Sequence, residues 1–277
     1  MVKIVTDSTS DLPPELVQKW GITVVPLKVR FGTLAYRDGV DLTTEEFYRK
    51  LVCSQTLPTT VAPSPADFSE VYDKLAEETD EILAITLSSK LSATYEAALR
   101  GKEQKKKDCR VEVIDSLTAA MALGLLVIAA AEEAQARASL EQIITLVRKA
   151  IPKTHVRGYF DTLEYLRRGG RIGRARAFLG SVLKFNPIIG VKDGEVDGFG
   201  RLRGRAKALD WLYNFVAGFR NIKGLAVEYA TTPGEAEMLA QRLNPLFPRE
   251  KIYISTIGPV VGTHVGPHVL AVSVLEA

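Results

Sequence analysis

Val2-Lys-Ile-Val-Thr-Asp-Ser-Thr-Ser-Asp11 opens the chain with an apolar run that ends in a hydroxyl-rich turn. Ile82-Leu-Ala-Ile-Thr-Leu-Ser-Ser-Lys-Leu-Ser-Ala-Thr94 and Val111-Glu-Val-Ile-Asp-Ser-Leu-Thr118 repeat the device, and a helical pattern follows each. In an open α/β sheet, ligands settle outside the carboxyl ends of the strands, where the next helices begin. Those helix starts present unpaired N–H groups and a positive dipole end, which suit an anion. Ser and Thr there, in place of a Gly-rich phosphate loop, point to a small anionic head group such as a carboxylate. The same residues are also the ordinary N-caps of helices that bind nothing, and for any one turn by itself capping is the preferred reading.

Outward from these turns, the first half alternates strand and helix. Strands are expected over residues 2–5, 23–31, 82–86 and 111–114. Helices are expected over 13–20, 43–53, 64–79, 92–104, 118–136 and 139–150, several of them entered through Pro or through Ser and Thr caps. Residues 32–39 read as a turn, and Leu57-Pro-Thr-Thr-Val-Ala-Pro-Ser-Pro65 carries too much proline for either element. Strands separated by helices of about ten to fifteen residues mean parallel βαβ units, hence a Rossmann-like α/β domain.

Ile151-Pro152 marks the expected boundary between an N-terminal domain, 1–152, and a C-terminal domain, 153–277. Beyond it, strands are expected over 154–160, 224–229, 252–256 and 269–275, and helices over 162–168, 178–185, 206–219 and 233–243. Ile188-Ile-Gly-Val-Lys-Asp-Gly-Glu-Val-Asp197 reads as a β-hairpin around Asp193-Gly194. A hairpin among helices makes the second domain α+β, with a mixed or antiparallel sheet.

The 277 residues, 46% hydrophobic and 25% charged, have the composition of a soluble globular protein with a sizeable core. A net charge of +3 is too small to imply nucleic acid by itself. Cys53 and Cys109, with no C-x-x-C, support neither a disulfide framework nor a zinc site and fit a reducing cytoplasm. The N-terminus lacks the residue order of a signal peptide. Ala119-Ala-Met-Ala-Leu-Gly-Leu-Leu-Val-Ile-Ala-Ala-Ala131 is shorter than the ~18–20 apolar residues of a membrane span and ends at Glu132-Glu133. It reads as a buried helix, and no integral membrane segment is expected.

Motifs for chemistry are sparse. There is no G-x-S-x-G, no H-E-x-x-H, no Walker sequence and no G-x-G-x-x-G after a strand, so neither metal nor cofactor is expected. Asp7, Asp115 and Asp161 at strand ends read as helix caps. His155 reads as structural. His264 lies in Ile257-Gly-Pro-Val-Val-Gly-Thr-His-Val-Gly-Pro267, a stretch expected to be a loop between two strands, with His268 at its edge. Gly and Pro at that density fix an unusual backbone path, which leaves surface and ligand roles for His264 both open.

Arginine clusters in Arg167-Arg-Gly-Gly-Arg-Ile-Gly-Arg-Ala-Arg176 and in Arg201-Leu-Arg-Gly-Arg-Ala-Lys207. Glycine beside arginine suits phosphate or an acidic protein surface, while a solvated face fits too. No aromatic platform for nucleic acid is interleaved, and a docking surface is the preferred reading. Three classes of function stand: a ligand-binding protein; a hydrolase or transferase using the hydroxyl turns; and a regulatory or nucleic-acid-binding protein using the arginines. The first is preferred.

Six stretches, in order, carry a family resemblance: Val5-Thr-Asp-Ser-Thr-Ser-Asp-Leu12, Pro58-Thr-Thr-Val-Ala-Pro-Ser-Pro65, Leu87-Ser-Ser-Lys-Leu-Ser-Ala-Thr-Tyr95, Asp115-Ser-Leu, Thr162-Leu-Glu-Tyr-Leu-Arg-Arg-Gly-Gly-Arg-Ile172 and Gly258-Pro-Val-Val-Gly-Thr-His-Val-Gly-Pro267. Together they span almost the whole chain and resemble the DegV family of bacterial fatty-acid-binding proteins. The resemblance implies two α/β domains with one long-chain fatty acid in a tunnel between them, and no cofactor besides that ligand. It implies a non-catalytic role in which the carboxylate is presented to a separate fatty acid kinase, giving an acyl phosphate for phospholipid synthesis. Carried over by position, it puts the carboxylate contacts at Thr60 and Ser92, with His264 nearby, and kinase docking at Arg171 and Arg203. A buried carboxylate needs such partners, and each buried CH₂ of the tail adds about 0.8 kcal/mol. Val61, Ala62, Ala93 and His268 depart from the residues usual in the family.

Overall fold

A strand buried on both faces sends alternate side chains to two different cores, and the apolar runs of the first half do this. A computed structural model describes every residue except 55 and 180–184. The first half runs β1 (Lys3–Asp7), α1 (Pro14–Trp20), β2 (Thr23–Val25), β3 (Lys28–Phe31), β4 (Leu34–Arg37), α2 (Thr44–Cys53) and β5 (Thr59–Val61). It continues through α3 (Pro65–Leu75), β6 (Glu81–Thr86), α4 (Thr94–Gln104), β7 (Arg110–Asp115), α5 (Ala120–Gln135) and α6 (Leu140–Ala150). Strands β2-β1-β6-β7 form one parallel sheet in that order. Ile4, Leu83 and Ile85 face α5 and α6, whereas Val5, Ile82 and Ala84 face α3 and α4. Side chains alternating with period two produce that division.

The second half runs β8 (Thr154–Tyr159), α7 (Glu164–Arg168), β9 (Asn186–Lys192), β10 (Glu195–Leu202), α8 (Arg205–Ala217) and β11 (Ile222–Tyr229). α9 (Pro233–Leu243), β12 (Ile252–Thr256), α10 (Pro259–Val265) and β13 (Leu270–Glu276) complete it. Its six strands form a mixed sheet ordered β10-β9-β8-β13-β11-β12, parallel only between β11 and β12. β9 and β10 are the expected hairpin, with Asp193 and Gly194 at φ of 52° and 83° in its turn. Helices α8 and α9 cover one face of this sheet. The other face meets α5, whose Leu125, Leu126 and Ala129 pack against Ala226 and Leu275. α5 thus lies between the two sheets, which explains an apolar run with no polar face. Among the described residues no helix is long and apolar enough to cross a membrane.

Four expectations change. The strand expected over 23–31 is two strands, because Pro26 has no N–H to continue the ladder. β2 pairs with β1, while β3 turns away into a third sheet, β4-β3-β5. The expected turn at 32–39 contains β4, and the proline-rich stretch holds β5 between Pro58 and Pro63, with Thr60 opposite Val29. The loop expected around His264 is the helix α10: Pro259 sits in its first turn, and Gly266 at φ 85° ends it. The helix expected over 178–185 falls mostly on residues outside those described; before them, Gly173–Phe178 is a 3-10 turn.

Candidate functional site

The carboxyl ends of the parallel strands point toward the second sheet, and acids organise them together with hydroxyls such as Ser88, Ser92 and Ser116, which accept backbone N–H groups in the same turns. Asp7, at the end of β1, accepts the Thr9 N–H at 3.0 Å through one oxygen and the Leu87 N–H at 2.8 Å through the other. Asp115, at the end of β7, accepts from the N–H groups of Leu117 and Ser89 at 3.0 and 3.2 Å. Each carboxylate so ties its own turn to the one after β6. That last turn reaches the second sheet, where Ser88 Oγ donates to the Gly194 carbonyl at 2.7 Å. Capping therefore accounts for several of these residues. Asp161, the third acid, instead pairs with Arg205 at 3.7 Å.

Between the turns and the second sheet lies a cavity with about 130 Å³ open to the centres of water-sized molecules. Its walls are mainly apolar and come from both halves of the chain: Leu27 and Leu87, Ala119 and Ala120, Val156 and Ile189, Val260 and Val261. Thr60, Ser92, His264 and Arg171 line it, together with Thr9 and Glu228. Thr60 Oγ1 and His264 Nε2 are hydrogen-bonded at 2.9 Å. Ser92 Oγ accepts the Thr94 N–H at 3.3 Å and shares a hydrogen bond with Thr94 Oγ1 at 2.9 Å. α4 begins at Thr94 with no side-chain cap from Ala93, so Ser92 serves the helix start and the cavity at once. Arg171 Nε donates to the Leu91 carbonyl at 3.1 Å, and its Nη1 donates to the Gly169 carbonyl at 2.9 Å.

His264 is neutral here. Burial, and then the nearby Arg171 charge, lowers its pKa to about 4. Its Nδ1 is buried and has no hydrogen-bond partner. The helix that carries it starts on two buried acids: Asp11 accepts the Gly258 N–H at 3.0 Å, and Asp38 accepts from Val260 N–H and from Ser8. Burial raises both, Asp38 to about 7 and Asp11 well above the usual carboxylate range, with the negative neighbours Asp38 and Glu228 adding to the rise in Asp11.

Glu228, on β11, is the acid that sequence reading did not single out. Its carboxylate reaches across to accept the Met121 N–H at 2.8 Å in the uncapped first turn of α5, and it also accepts from Ser273. Leu117, in the loop before α5, and Ala120, its first residue, adopt φ of 54° and 57°, a region costing a non-glycine residue about 1–2 kcal/mol. Burial lifts Glu228 to about 7. A lone Glu in an apolar strand, Leu225-Ala-Val-Glu-Tyr229, is the one signal that could have marked it.

Of the residues expected at the head group, Thr60, Ser92 and His264 line one cavity. Arg171, expected on a separate docking surface, lines it too, whereas Arg203 lies over the Phe185 ring at 4.8 Å and is not part of the wall. Among the described residues no cluster of His, Cys, Asp and Glu is arranged to hold a metal ion.

The model of the family described as "Uncharacterised protein, DegV family" matches residues 1–277. The chain belongs to the DegV family. A DegV domain-containing protein of Caldanaerobacter subterraneus subsp. tengcongensis is 36% identical over 275 residues, covering 96% of this chain and 95% of its own. The structure of a DegV family protein from Thermus thermophilus, described as fatty acid binding, superposes with a TM-score of 0.92 at 34% identity. It covers 100% of this chain and 99% of its own. DegV of Bacillus subtilis, described as a fatty acid binding protein, gives a TM-score of 0.91 at 29% identity over 100% and 99% of the two chains. DegV membership and the α/β fold, with one parallel and one mixed sheet, agree with the resemblance read from the sequence.

Proposed function

We propose that this DegV chain binds one long-chain fatty acid, with its carboxylate at Thr60, Ser92 and His264 and its tail in the apolar cavity. Residues 1–152 and 153–277 act as two domains that close on the ligand from either side. The observation that carries the reading is the Thr60–His264 hydrogen bond at the wall of a cavity that is otherwise largely apolar. Hydroxyl donors suit a carboxylate, and apolar walls suit an alkyl tail. The Thermus thermophilus and Bacillus subtilis relatives, described as binding fatty acid, support the same ligand class. The protein works without a cofactor and is not itself an enzyme: in the cytoplasm it presents the carboxylate to a separate fatty acid kinase. The acyl phosphate formed there feeds phospholipid synthesis, with Arg203 and Arg171 serving the kinase contact.

Organic extraction of the purified protein followed by mass spectrometry tests the ligand. About one acid of roughly C14–C18 per chain is expected, since each CH₂ buried adds about 0.8 kcal/mol. Repeated recovery of none, with no uptake on titration with palmitate, overturns the reading. Added kinase and ATP test the presentation step, for which acyl phosphate should form only when the fatty acid is bound.

A further inference from the structure

The pair Gly169-Gly170 closes α7, and the two glycines are there for different reasons. Gly170 takes φ 70° with open space around the position of a side chain, so its requirement is conformational. Gly169 has φ −71° and ψ −7°, an ordinary right-handed helical conformation that any residue adopts. Backbone geometry therefore gives no reason for glycine at 169. Space does: a Cβ there would sit 2.3 Å from His264 Nδ1 and 2.9 Å from its Cε1. It would also meet the Tyr165 carbonyl oxygen at 3.0 Å.

We propose that Gly169 is a positioning residue for the candidate head-group site: its missing side chain is the space that holds the His264 ring against Thr60. The contact is reciprocal between the two elements. Gly266, just after α10, receives the Tyr165 ring of α7, where a Cβ would lie 2.5 Å from Cδ2. The His264 ring is thus held on one side by the Gly169 backbone and on the other by the hydrogen bond between Nε2 and Thr60 Oγ1. The Gly169 carbonyl also accepts from Arg171, so one residue sets the distance between the imidazole, kept neutral chiefly by burial, and the guanidinium that adds to that effect. A methyl group at 169 has to push a buried ring, because the backbone on its own side is pinned by the Gly169 N–H to the Tyr165 carbonyl at 2.9 Å.

The importance of this for ligand binding rests on the fatty acid reading, but the ring's position does not, and the test separates the two. His155, His264 and His268 are the chain's three histidines, so their imidazole nitrogens are separately assignable in histidine-labelled, delipidated full-length protein. In Gly169→Ala the His264 resonances should shift without ligand while those of His155 and His268 stay in place. Palmitate affinity should fall about tenfold or more in Gly169→Ala, yet change less than about twofold when the same substitution is made in His264→Ala. Unshifted His264 resonances, or a loss that persists undiminished in the His264→Ala background, overturns the proposal. If the single variant does not fold, folding of Gly169→Ala/His264→Ala supports the proposal and its failure to fold overturns it. A wild-type protein that takes up no palmitate defeats the ligand reading alone, and the resonances still decide the role of Gly169.

Discussion

Thr60 Oγ1 lies 2.9 Å from His264 Nε2, a hydrogen bond between residues 204 positions apart in the chain. One partner sits on the edge strand β5, between two prolines, and the other on α10, whose first turn is fixed by Asp11 and Asp38. Thr60→Val removes the hydroxyl and keeps the shape. Loss of a hydrogen bond to a charged acceptor should weaken palmitate binding by about 1.5–3 kcal/mol, measured by titration calorimetry. Unchanged affinity would confine Thr60 to holding the histidine.

Ser92→Ala should show two losses together. Its hydroxyl accepts the Thr94 N–H at the start of α4 and also faces the cavity. Stability should fall by about 0.5–2 kcal/mol, the range for a lost helix cap, and palmitate affinity should fall as well. Denaturation and binding measured on the same preparation separate the two. A drop in stability alone would leave Ser92 a cap and nothing more.

His264 should stay neutral far into the acid range. Its folded pKa, about 4, lies below the unfolded value of about 6.5, so the folded state holds fewer protons between the two. The stability linked to this group is therefore complete above about pH 6.5 and falls as the pH drops toward 4. An imidazole titration by NMR should find His264 unprotonated at pH 5. A midpoint near 6.5 would mean that the ring is neither buried nor close to Arg171.

Glu228 and Asp38 act in the opposite direction. Burial raises both to about 7, so the folded state holds more protons than the unfolded chain between about pH 4 and 7. Their linked stability is complete below about pH 4 and is lost as the pH rises through 7. Between pH 6.5 and 8, where the His264 contribution is complete and no longer changes, chemical denaturation should show stability falling with rising pH. Glu228→Gln should flatten that slope, at the cost of one of the two hydrogen bonds the carboxylate accepts.

The two arginines should separate. Arg171 lines the cavity and ties to Leu91 and Gly169, so Arg171→Ala should lower both palmitate affinity and acyl-phosphate formation by an added kinase. Arg203 lies over Phe185, away from the cavity wall, so Arg203→Ala should lower kinase turnover and leave palmitate affinity within error. Wild-type turnover in Arg203→Ala would remove it from the docking surface.

The sequence by itself determined the parallel sheet, the buried helix α5 and the β9–β10 hairpin. These rest on interactions between near neighbours: apolar runs long enough to read, caps at known offsets, and Asp193-Gly194 in a turn that needs positive φ. Strands β4 and β5 escaped because each has only three or four residues, too few for period-two alternation to show, and β3 was read as a continuation of β2. α10 escaped because its glycines and prolines read as a loop, and its first turn is held by Asp11 and Asp38, more than two hundred residues upstream. Family resemblance could name Thr60, Ser92 and His264 one by one. Only the tertiary structure decided that His264 is neutral, that Glu228 reaches α5 from another sheet, and that Gly169 is glycine to make room for a ring. Those properties arise from burial and from atoms within about 3 Å of one another, and neither is written in the spacing of residues along a chain.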